Sequence, residues 1–334
     1  MKVALFLALL AAPLAALAQP VPVGATLAGK ATLVLRQPLA AEPIQGFSSV
    51  TERPDGTYWA LADTGHAARP HRADVQVVFH HVYIDWRAGR ARLLSAEALR
   101  DPDRRLAFPI ANAATPARLL TSADINVDAM EVVRDSAWFA DDLGPWLIET
   151  DLHGRVLAAF AALVDGVPLD AATSRRGFGG LAASRDGRFL YAAFEGPLWS
   201  QPGWETSVDG RQYLRILEFD LRARQWTGRA IRYALEAPAH TLADLALLDA
   251  GRALVVERGP QFRRIYQVSL EGDEAKKLAF VDLAALDMAE VEGLELVAPD
   301  YLVLTSGARR EFVLLRAPLI LVKGAGGAGH RVAP

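Results

Sequence analysis

The motif that decides the fold is Arg-Asp-Gly-Arg-Phe-Leu-Tyr-Ala-Ala-Phe-Glu, at residues 185–195. It joins an Asp-Gly turn, a short apolar strand and a closing acidic residue. The same order of turn, strand and acid recurs along the chain, although the last copy carries Thr305 in the acid position. The copies occupy residues 54–63, 134–142, 185–195, 249–257 and 299–305.

Further strands surround each copy of the motif. A short apolar strand precedes it, most copies are followed by another strand, and a more polar fourth strand often comes next. Sheets of three or four antiparallel strands, repeated about five times, are typical of β-propeller blades. The sequence therefore predicts an all-β, single-domain β-propeller of five to six blades, the sixth requiring residues 31–35 to pair with C-terminal strands. A β-sandwich is the alternative, but it gives no reason for the repeat. The preceding strands are predicted at 47–50, 130–133, 181–183, 245–248 and 294–297.

The composition excludes several classes of site. The 334 residues include no Cys, which rules out a disulfide scaffold, Cys-ligated zinc, an iron–sulfur cluster and a thiol nucleophile. The chain carries 36 basic and 39 acidic residues, a formal charge of −3. This balance argues against binding to nucleic acid or an anionic membrane, because both require a dominant basic surface.

The N-terminus has the pattern of a secretory signal peptide. Met1-Lys2 is followed by an apolar run to Leu17, and small residues precede a predicted cleavage site after Ala18. The alternative is a membrane anchor, which needs about 20 uninterrupted apolar residues. We therefore expect a periplasmic or secreted protein whose mature chain does not span the membrane. The predicted divisions are a signal peptide at 1–18, a linker at 19–30, the propeller domain at 31–322 and a flexible Gly-rich tail at 323–334.

Propeller geometry predicts an acidic site. The loop that enters the first strand of a blade and the loop that leaves its second strand open on the same face, beside the central channel. Carboxylates gathered there repel each other unless they are protonated, paired with Arg or bound to a cation. Oxygen ligands suit Ca²⁺ better than Zn²⁺, so the sequence predicts a divalent cation, Ca²⁺ first. The alternative is that each acid caps its hairpin or pairs with an Arg such as Arg258. The predicted metal ligands are Asp63, Asp128, Glu131, Asp142, Glu195, Glu257 and Glu292.

Segments spread over residues 45–316 carry a resemblance to a known family. They are 45–48, 128–131, 141–148, 176–182, 194–198, 256–258 and 264–266. In their order and spacing the chain resembles the phytase-like family of exported bacterial proteins, "esterase-like activity of phytase". The resemblance implies a propeller-like fold and phosphoesterase or phosphodiesterase activity at clustered Asp and Glu residues. The chain departs from the family pattern at Gly179, where the family carries Glu, and at Thr305-Ser306-Gly307, where it tends to carry Asn-Asp-Asn.

These observations lead to two hypotheses about function. The first is metal-assisted hydrolysis of a small, anionic phosphorylated substrate by a monomeric enzyme, with carboxylates as ligands or base. The second is a non-catalytic, calcium-stabilised platform that binds a periplasmic ligand or protein. In the first hypothesis the catalytic residues are Asp128, Glu131, Asp142 and Glu195, the substrate is gripped by Arg175, Arg258 and Arg309, and His240 is a candidate general acid.

Overall fold

The computed structural model describes residues 19–35, 44–64, 75–169, 176–200, 202–286, 288 and 290–321. Within these ranges nearly all regular structure is β-strand, and the 3₁₀ segments Ala284–Leu286 and Pro318–Leu321 are short. None of the described helices has the length and apolar character needed to cross a membrane.

The N-terminal half contains two four-stranded antiparallel sheets, which we call units 1 and 2. They are preceded by the strands β1 (Val21–Pro22) and β2 (Thr26–Leu33). Unit 1 consists of β3 (Phe47–Glu52), β4 (Tyr58–Ala62), β5 (Val78–Asp85) and β6 (Arg90–Ala98). Unit 2 consists of β7 (Val127–Val133), β8 (Ser136–Asp141), β9 (Trp146–Asp151) and β10 (Val156–Ala161).

Unit 3 has the same antiparallel order, interrupted by small hairpins. The first hairpin, β11 (Leu163–Val164) with β12 (Val167–Pro168), precedes it. Its strands are β13 (Phe178–Ala183), β14 (Phe189–Phe194), β17 (Tyr213–Asp220) and β18 (Gln225–Ala234). The second hairpin, β15 (Trp199–Ser200) with β16 (Gly203–Trp204), lies inside it.

Units 4 and 5 complete the series. Unit 4 consists of β19 (Thr241–Asp249), β20 (Arg252–Gly259), β21 (Phe262–Ser269) and β22 (Lys276–Asp282), and β1 pairs in parallel with β22. Unit 5 consists of β23 (Leu294–Ala298), β24 (Tyr301–Ser306) and β25 (Arg309–Arg316), with β2 as its fourth strand.

The first strands of the units form a closed ring. Each of β3, β7, β13, β19 and β23 contacts the first strand of the next unit, and β23 contacts β3. The all-β, propeller-like fold expected from the repeat is confirmed in this form. All five predicted preceding strands lie within these inner strands.

Burial explains why the second strands read as continuous apolar runs. In β14 every residue from Leu190 to Phe194 is buried, because neighbouring sheets cover both of its faces. The core between units 1 and 2 has the same character: the rings of Phe79 and Phe139 meet there at 5.3 Å between centroids. Outer strands such as β18 alternate more, since one of their faces meets water.

The N-terminal strand β2 closes the ring. It pairs antiparallel with β25, for example Ala31 with Phe312, and in parallel with β6 through Thr32 and Leu33. Residues 31–33 thus complete unit 5. The structure also places β1 and the start of β2 inside the segment 19–30 that the sequence suggested as a linker. This pairing satisfies the outer backbone groups of β25, which would otherwise form an open sheet edge.

Candidate functional site

A β-bulge lies at the start of the inner strand in units 1 to 4. The pairing register shifts between Val127 and Ala129 in unit 2, and at the corresponding point in the other three units. A bulge leaves one residue out of the ladder and re-aims its side chain. The bulged residues are Ser48, Asp128, Gly179 and Ala243.

The residue that follows the second strand is also equivalent from unit to unit. The backbone N–H of Asp142 donates to Asn126 O at 2.7 Å, and that of Glu195 donates to Gly177 O at 2.9 Å. Asp63 makes the same contact, at 3.1 Å, with the oxygen of Gly46. Three units thus present an acid at one end of the ring.

Unit 5 adds Glu292 to this end. A Cβ placed on Gly307 would lie 2.3 Å from Asp63 Oδ2 and 3.2 Å from Glu292 Cγ. Asp63 and Glu292 therefore approach each other beside a residue that has no side chain. Glu292 itself precedes the inner strand, and its N–H donates to Thr305 O at 3.0 Å.

These carboxyl groups influence each other's protonation. Burial raises the pKa of Asp128 well above its ordinary value, and the charges of Asp142, Glu195, Glu292 and Asp63 raise it further. Burial, followed by the charge of Glu195, raises the pKa of Asp142 to about 6. Burial raises the pKa of Glu292 to about 7 although Arg258 opposes the shift. We call this group of five the acidic mouth.

Two guanidinium groups enter the acidic mouth. Arg258 places Nη2 3.4 Å from Glu195 Oε1, and its Nη1 contacts Glu292 Oε1. Arg176 Nη1 lies 3.0 Å from the same oxygen of Glu195. The sequence did not single out Arg176, although it stands next to the predicted Arg175, which lies outside the described residues. The sequence feature that could have indicated Arg176 is its position two residues before the inner strand of unit 3.

Glu131 lies apart from the acidic mouth. Its Oε1 accepts a hydrogen bond from the N–H of Ala183 at 3.1 Å, and its Oε2 accepts one from Thr51 Oγ1 at 3.4 Å. Burial raises its pKa to about 7. Its negative charge helps to raise the pKa values of Asp244, which is buried, and of Glu295, which is partly buried. Both residues lie on other inner strands. The expected place of Glu131 among the mouth acids is therefore not what the structure shows.

Asp244 and Glu295 continue the chain of contacts that Glu131 begins. Asp244 accepts from the N–H of Leu181 in unit 3 at 3.4 Å and from Leu294 in unit 5 at 2.9 Å. Glu295 accepts from the N–H of Glu52 in unit 1 at 3.1 Å. Together with Glu131, which joins units 1, 2 and 3, these carboxyl groups connect the inner strands all around the ring. Sequence reasoning missed Glu295, whose only signal was its position on a predicted inner strand.

The remaining predicted residues lie elsewhere. Glu257 is fully buried and contacts His240 instead of the mouth acids, because it falls one residue before the mouth position of unit 4. Arg309 begins β25, with its Nη1 3.9 Å from Glu311 Oε2. Neither Glu257 nor Arg309 contacts the five mouth acids among the described residues.

The acidic mouth fits a hard cation in chemistry but not in its present geometry. Within the described ranges, no three His, Asp or Glu side chains are arranged as a metal-binding group. However, Asp142 Oδ1 and Ser48 Oγ are buried and have no hydrogen-bond partner there. Such oxygen atoms are ligands that Ca²⁺ accepts, and an unpartnered buried polar atom requires an explanation. The side chains would have to move closer together to hold the ion.

Comparison with known families identifies the chain. The phytase-like family, described as "esterase-like activity of phytase", matches residues 42–305. The chain belongs to this family. The match covers both the acidic mouth and the carboxyl groups that connect the inner strands, so both features lie within the phytase-like region. No curated protein matches the chain.

A solved glutaminyl cyclase structure agrees with this phytase-like chain in fold. The glutaminyl cyclase of Myxococcus xanthus has a TM-score of 0.54 and 9% identity, covering 90% of this chain and 98% of the other. A 6-phosphogluconolactonase candidate from Bacteroides uniformis gives 0.41 and 14%, with 77% of each chain covered. The Dos1 propeller gives 0.38 and 8%, covering 81% and 68%. At these identities the similarity concerns the fold alone.

Proposed function

We propose that this phytase-like protein is an exported hydrolase that cleaves phosphoesters at the acidic mouth. The proposal rests on two neighbouring carboxyl groups, those of Asp142 and Asp128, whose surroundings raise their pKa values to different extents. The pKa of Asp142 is about 6, whereas that of Asp128 is well above the ordinary value. Near pH 7 Asp142 is therefore mainly ionised, whereas burial and the neighbouring negative charges favour the neutral form of Asp128. Such a pair can divide the roles of base and hydrogen-bond donor.

Asp142 is the proposed general base. Its buried Oδ1 lacks a partner among the described residues and is available to a water molecule. A base works best when its pKa lies near the operating pH. Neutral Asp128 would donate a hydrogen bond to a phosphoryl oxygen without repelling it. Arg258 and Arg176 would pair with the other anionic oxygens.

A divalent cation belongs to this proposal because a phosphate anion is repelled by several carboxylates. Ca²⁺ is the first candidate, with Asp63, Glu195, Glu292 and the other oxygen of Asp142, Oδ2, as the groups that would hold it, so that Oδ1 stays available to water. When bound, it would supply Lewis-acid polarisation of a phosphoryl oxygen. Its charge would also reduce the repulsion among the carboxylates that raises their pKa values.

A second candidate function is a non-catalytic platform stabilised by calcium. Gly179 favours it: a Cβ there would lie 2.8 Å from Leu242 O and 3.1 Å from Glu195 Cβ. The acid that the family carries at this position therefore has little room here. The hydroxyl of Thr305 is already used within the fold, since its Oγ1 accepts a hydrogen bond from the N–H of Gly293 at 3.1 Å.

The finer features of the architecture and location are part of the same proposal. We infer that the five units are five blades, because their inner strands contact one another in sequence and β2 completes the last sheet. We also propose that residues 1–18 are removed on export and that the mature protein is a monomer in the periplasm or outside the cell.

The deciding experiment compares phosphate-ester hydrolysis with and without calcium. Purified protein is assayed on a chromogenic phosphodiester and monoester, with Ca²⁺ or with chelator. We expect turnover that Asp142→Asn reduces by at least about 100-fold. Asp300→Asn, which removes a partly exposed acid paired with Arg316, is the matched control and should retain activity. Calcium-raised thermal stability without turnover would support the platform instead.

A further inference from the structure

Unit 4 differs from the other units at the acidic mouth. At the position of Asp63, Asp142 and Glu195 it carries Arg258, which lies opposite Thr241. The residue before Thr241 is His240, and the residue after Arg258 is Gly259. Because His240 precedes the inner strand and Gly259 ends the second strand, both lie at the mouth end of unit 4. This unit therefore brings a guanidinium where units 1 to 3 bring acids, and it adds an imidazole at the same end.

A buried carboxyl group holds His240 from one side. His240 Nδ1 lies 2.8 Å from Glu257 Oε1, and Glu257 is completely buried. The same carboxyl accepts from Glu236 N at 2.7 Å, Tyr233 Oη at 2.7 Å and Lys277 Nζ at 2.8 Å. A carboxylate oxygen is an acceptor, so Nδ1 carries the hydrogen of this bond.

The imidazole ring is also fixed by packing. It stacks on Phe262 at 4.2 Å between ring centroids, with an interplanar angle of 30°. A Cβ on Gly259 would lie 2.1 Å from His240 Cδ2 and 2.7 Å from Nε2, so only glycine leaves room for the ring. Within the described part of the chain Nε2 has no hydrogen-bond partner. One nitrogen is thus held by a carboxylate while the other remains available for chemistry.

We propose that His240 is the general acid for the departing alcohol, and that Glu257 is its positioning residue. The inference rests on the proposed phosphoester hydrolysis and extends it. Water attacks phosphorus and gives its proton to Asp142, the bond from phosphorus to the ester oxygen breaks, and that oxygen takes the proton from His240 Nε2. The products are an alcohol and a phosphate. Proton exchange with solvent restores both groups.

The charged groups around the imidazole are paired with one another. Glu257 contacts His240 Nδ1 through Oε1 and Lys277 Nζ through Oε2. Glu236 in turn pairs with Lys277 at 2.6 Å. Arg258, the neighbouring cation at the mouth, forms ion pairs with Glu195 and Glu292. Tyr233 contributes a neutral hydroxyl, and Phe262 adds no charge.

The test uses the dependence on the leaving group. A general acid matters most for an alcohol that leaves poorly. We expect His240→Gln to lower kcat by about 100-fold or more with glycerol phosphate but by less than about 10-fold with p-nitrophenyl phosphate. Phe262→Leu, which removes only the stacking partner, should affect both substrates equally. Equal losses for both substrates in His240→Gln would overturn the proposal.

The positioning role of Glu257 has its own measurement. The alkaline limb of the kcat profile should move to lower pH in Glu257→Gln, because the imidazolium loses its carboxylate partner. This variant leaves Lys277 without a buried partner and can unfold the unit, so Tyr233→Phe is the second variant. It removes one donor from Glu257, strengthens the remaining bond to His240 and should move the limb to higher pH. If both variants fold and the alkaline limb of the kcat profile moves in neither, Glu257 does not position His240.

A spectroscopic experiment tests the role of His240 independently of the proposed hydrolysis. If the wild-type protein releases no phosphate from either ester, the proposed hydrolase fails. The ¹⁵N signals of the His240 imidazole are then recorded with and without inorganic phosphate. A shift of the Nε2 signal supports an imidazole that faces the anion site. An Nε2 signal that responds neither to phosphate nor to pH between 5 and 9 would show a purely structural histidine.

Discussion

Arg258 occupies in unit 4 the position that Asp142 occupies in unit 2. Asp142 directly follows β8 and its N–H bonds to Asn126, whereas Arg258 lies one residue before the end of β20, opposite Thr241. The repeat that gathers the acids therefore also introduces one cation among them. Its guanidinium pairs with Glu195 and Glu292, on the units to either side.

Removing that cation should destabilise the protein in a pH-dependent way. In Arg258→Met the carboxylates of Glu195 and Glu292 lose their shared partner, and breaking a partly buried pair costs about 2–4 kcal/mol when the acids are ionised. At pH 5 protonation of Glu292 relieves part of this cost, since its pKa is about 7. Thermal unfolding should show a larger loss of Tm at pH 8 than at pH 5. Arg252→Met, at an exposed pair with Asp249, is the control; similar losses for both variants would contradict the idea.

The wild-type protein should become less stable as the pH rises from about 5 to 7. The folded-state pKa values of Glu131 and Asp141 are about 7, raised by burial from 4.5 and 3.8. Between the unfolded and folded values, the folded chain binds more protons than the unfolded chain. The free energy of unfolding then falls with rising pH, by about 1.4 kcal/mol per unit for each such group, and the contribution levels off above pH 7.

Urea unfolding between pH 4 and 8 measures this slope. Glu131→Gln keeps an acceptor for the N–H of Ala183 but removes the titrating group, so the slope should become shallower. Glu271→Gln, at an exposed position, should leave it unchanged. A wild-type stability that rises steadily from pH 5 to 7 would be incompatible with the buried carboxyl groups.

A side chain at Gly307 should force the carboxyl group of Asp63 to move. A Cβ there would lie 2.3 Å from Asp63 Oδ2 and would displace one wall of the acidic mouth. We expect Gly307→Ala to lower the free energy of unfolding by about 1–3 kcal/mol. Gly24→Ala, where no atom lies within 4 Å of the added Cβ, should change it by less than about 0.5 kcal/mol. Equal stability of the two variants by urea unfolding would show that the acids are not packed against this turn.

Calcium binding should depend on pH and on the mouth acids. Ca²⁺ competes with protons for the carboxylates, and burial raises the pKa of Asp142 to about 6 and that of Glu292 to about 7, so Ca²⁺ should raise Tm more at pH 8 than at pH 5. Asp142→Asn should reduce the effect and Asp300→Asn should retain it. Titration calorimetry that detects no calcium binding at pH 8 would remove the cation from the proposal.

Much of the fold could be predicted because its signal is local. Each second strand is buried on both faces, so its sequence is a continuous apolar run. An Asp in the preceding turn marks the start of each of these strands. The acids Asp63, Asp142 and Glu195 follow these runs directly, which is why their meeting could be foreseen. Glu257 was misplaced because the fourth copy of the motif has two charged residues in succession, and the register assigns the mouth position to the second, Arg258.

Other parts of the site had no local signal. The place of Glu131 depends on hydrogen bonds to Thr51 and Ala183, which lie 80 and 52 residues away along the chain. Asp128 is itself the bulged residue of β7, where a bulge re-aims the side chain, and no residue type in this segment announces the bulge. Pairing of residues 31–35 with C-terminal strands was predicted only as the closure of a sixth blade, whereas β2 pairs with β25 and completes unit 5.

The sequence by itself determined the all-β class, the repeated unit and the acidic character of one end of the ring, because strand periodicity and turn chemistry act over a few residues. Only the tertiary structure decided which acids share a mouth, which connect the inner strands and which one holds His240. Those outcomes depend on register and on contacts between units, where a shift of one residue turns a side chain from the channel into the core.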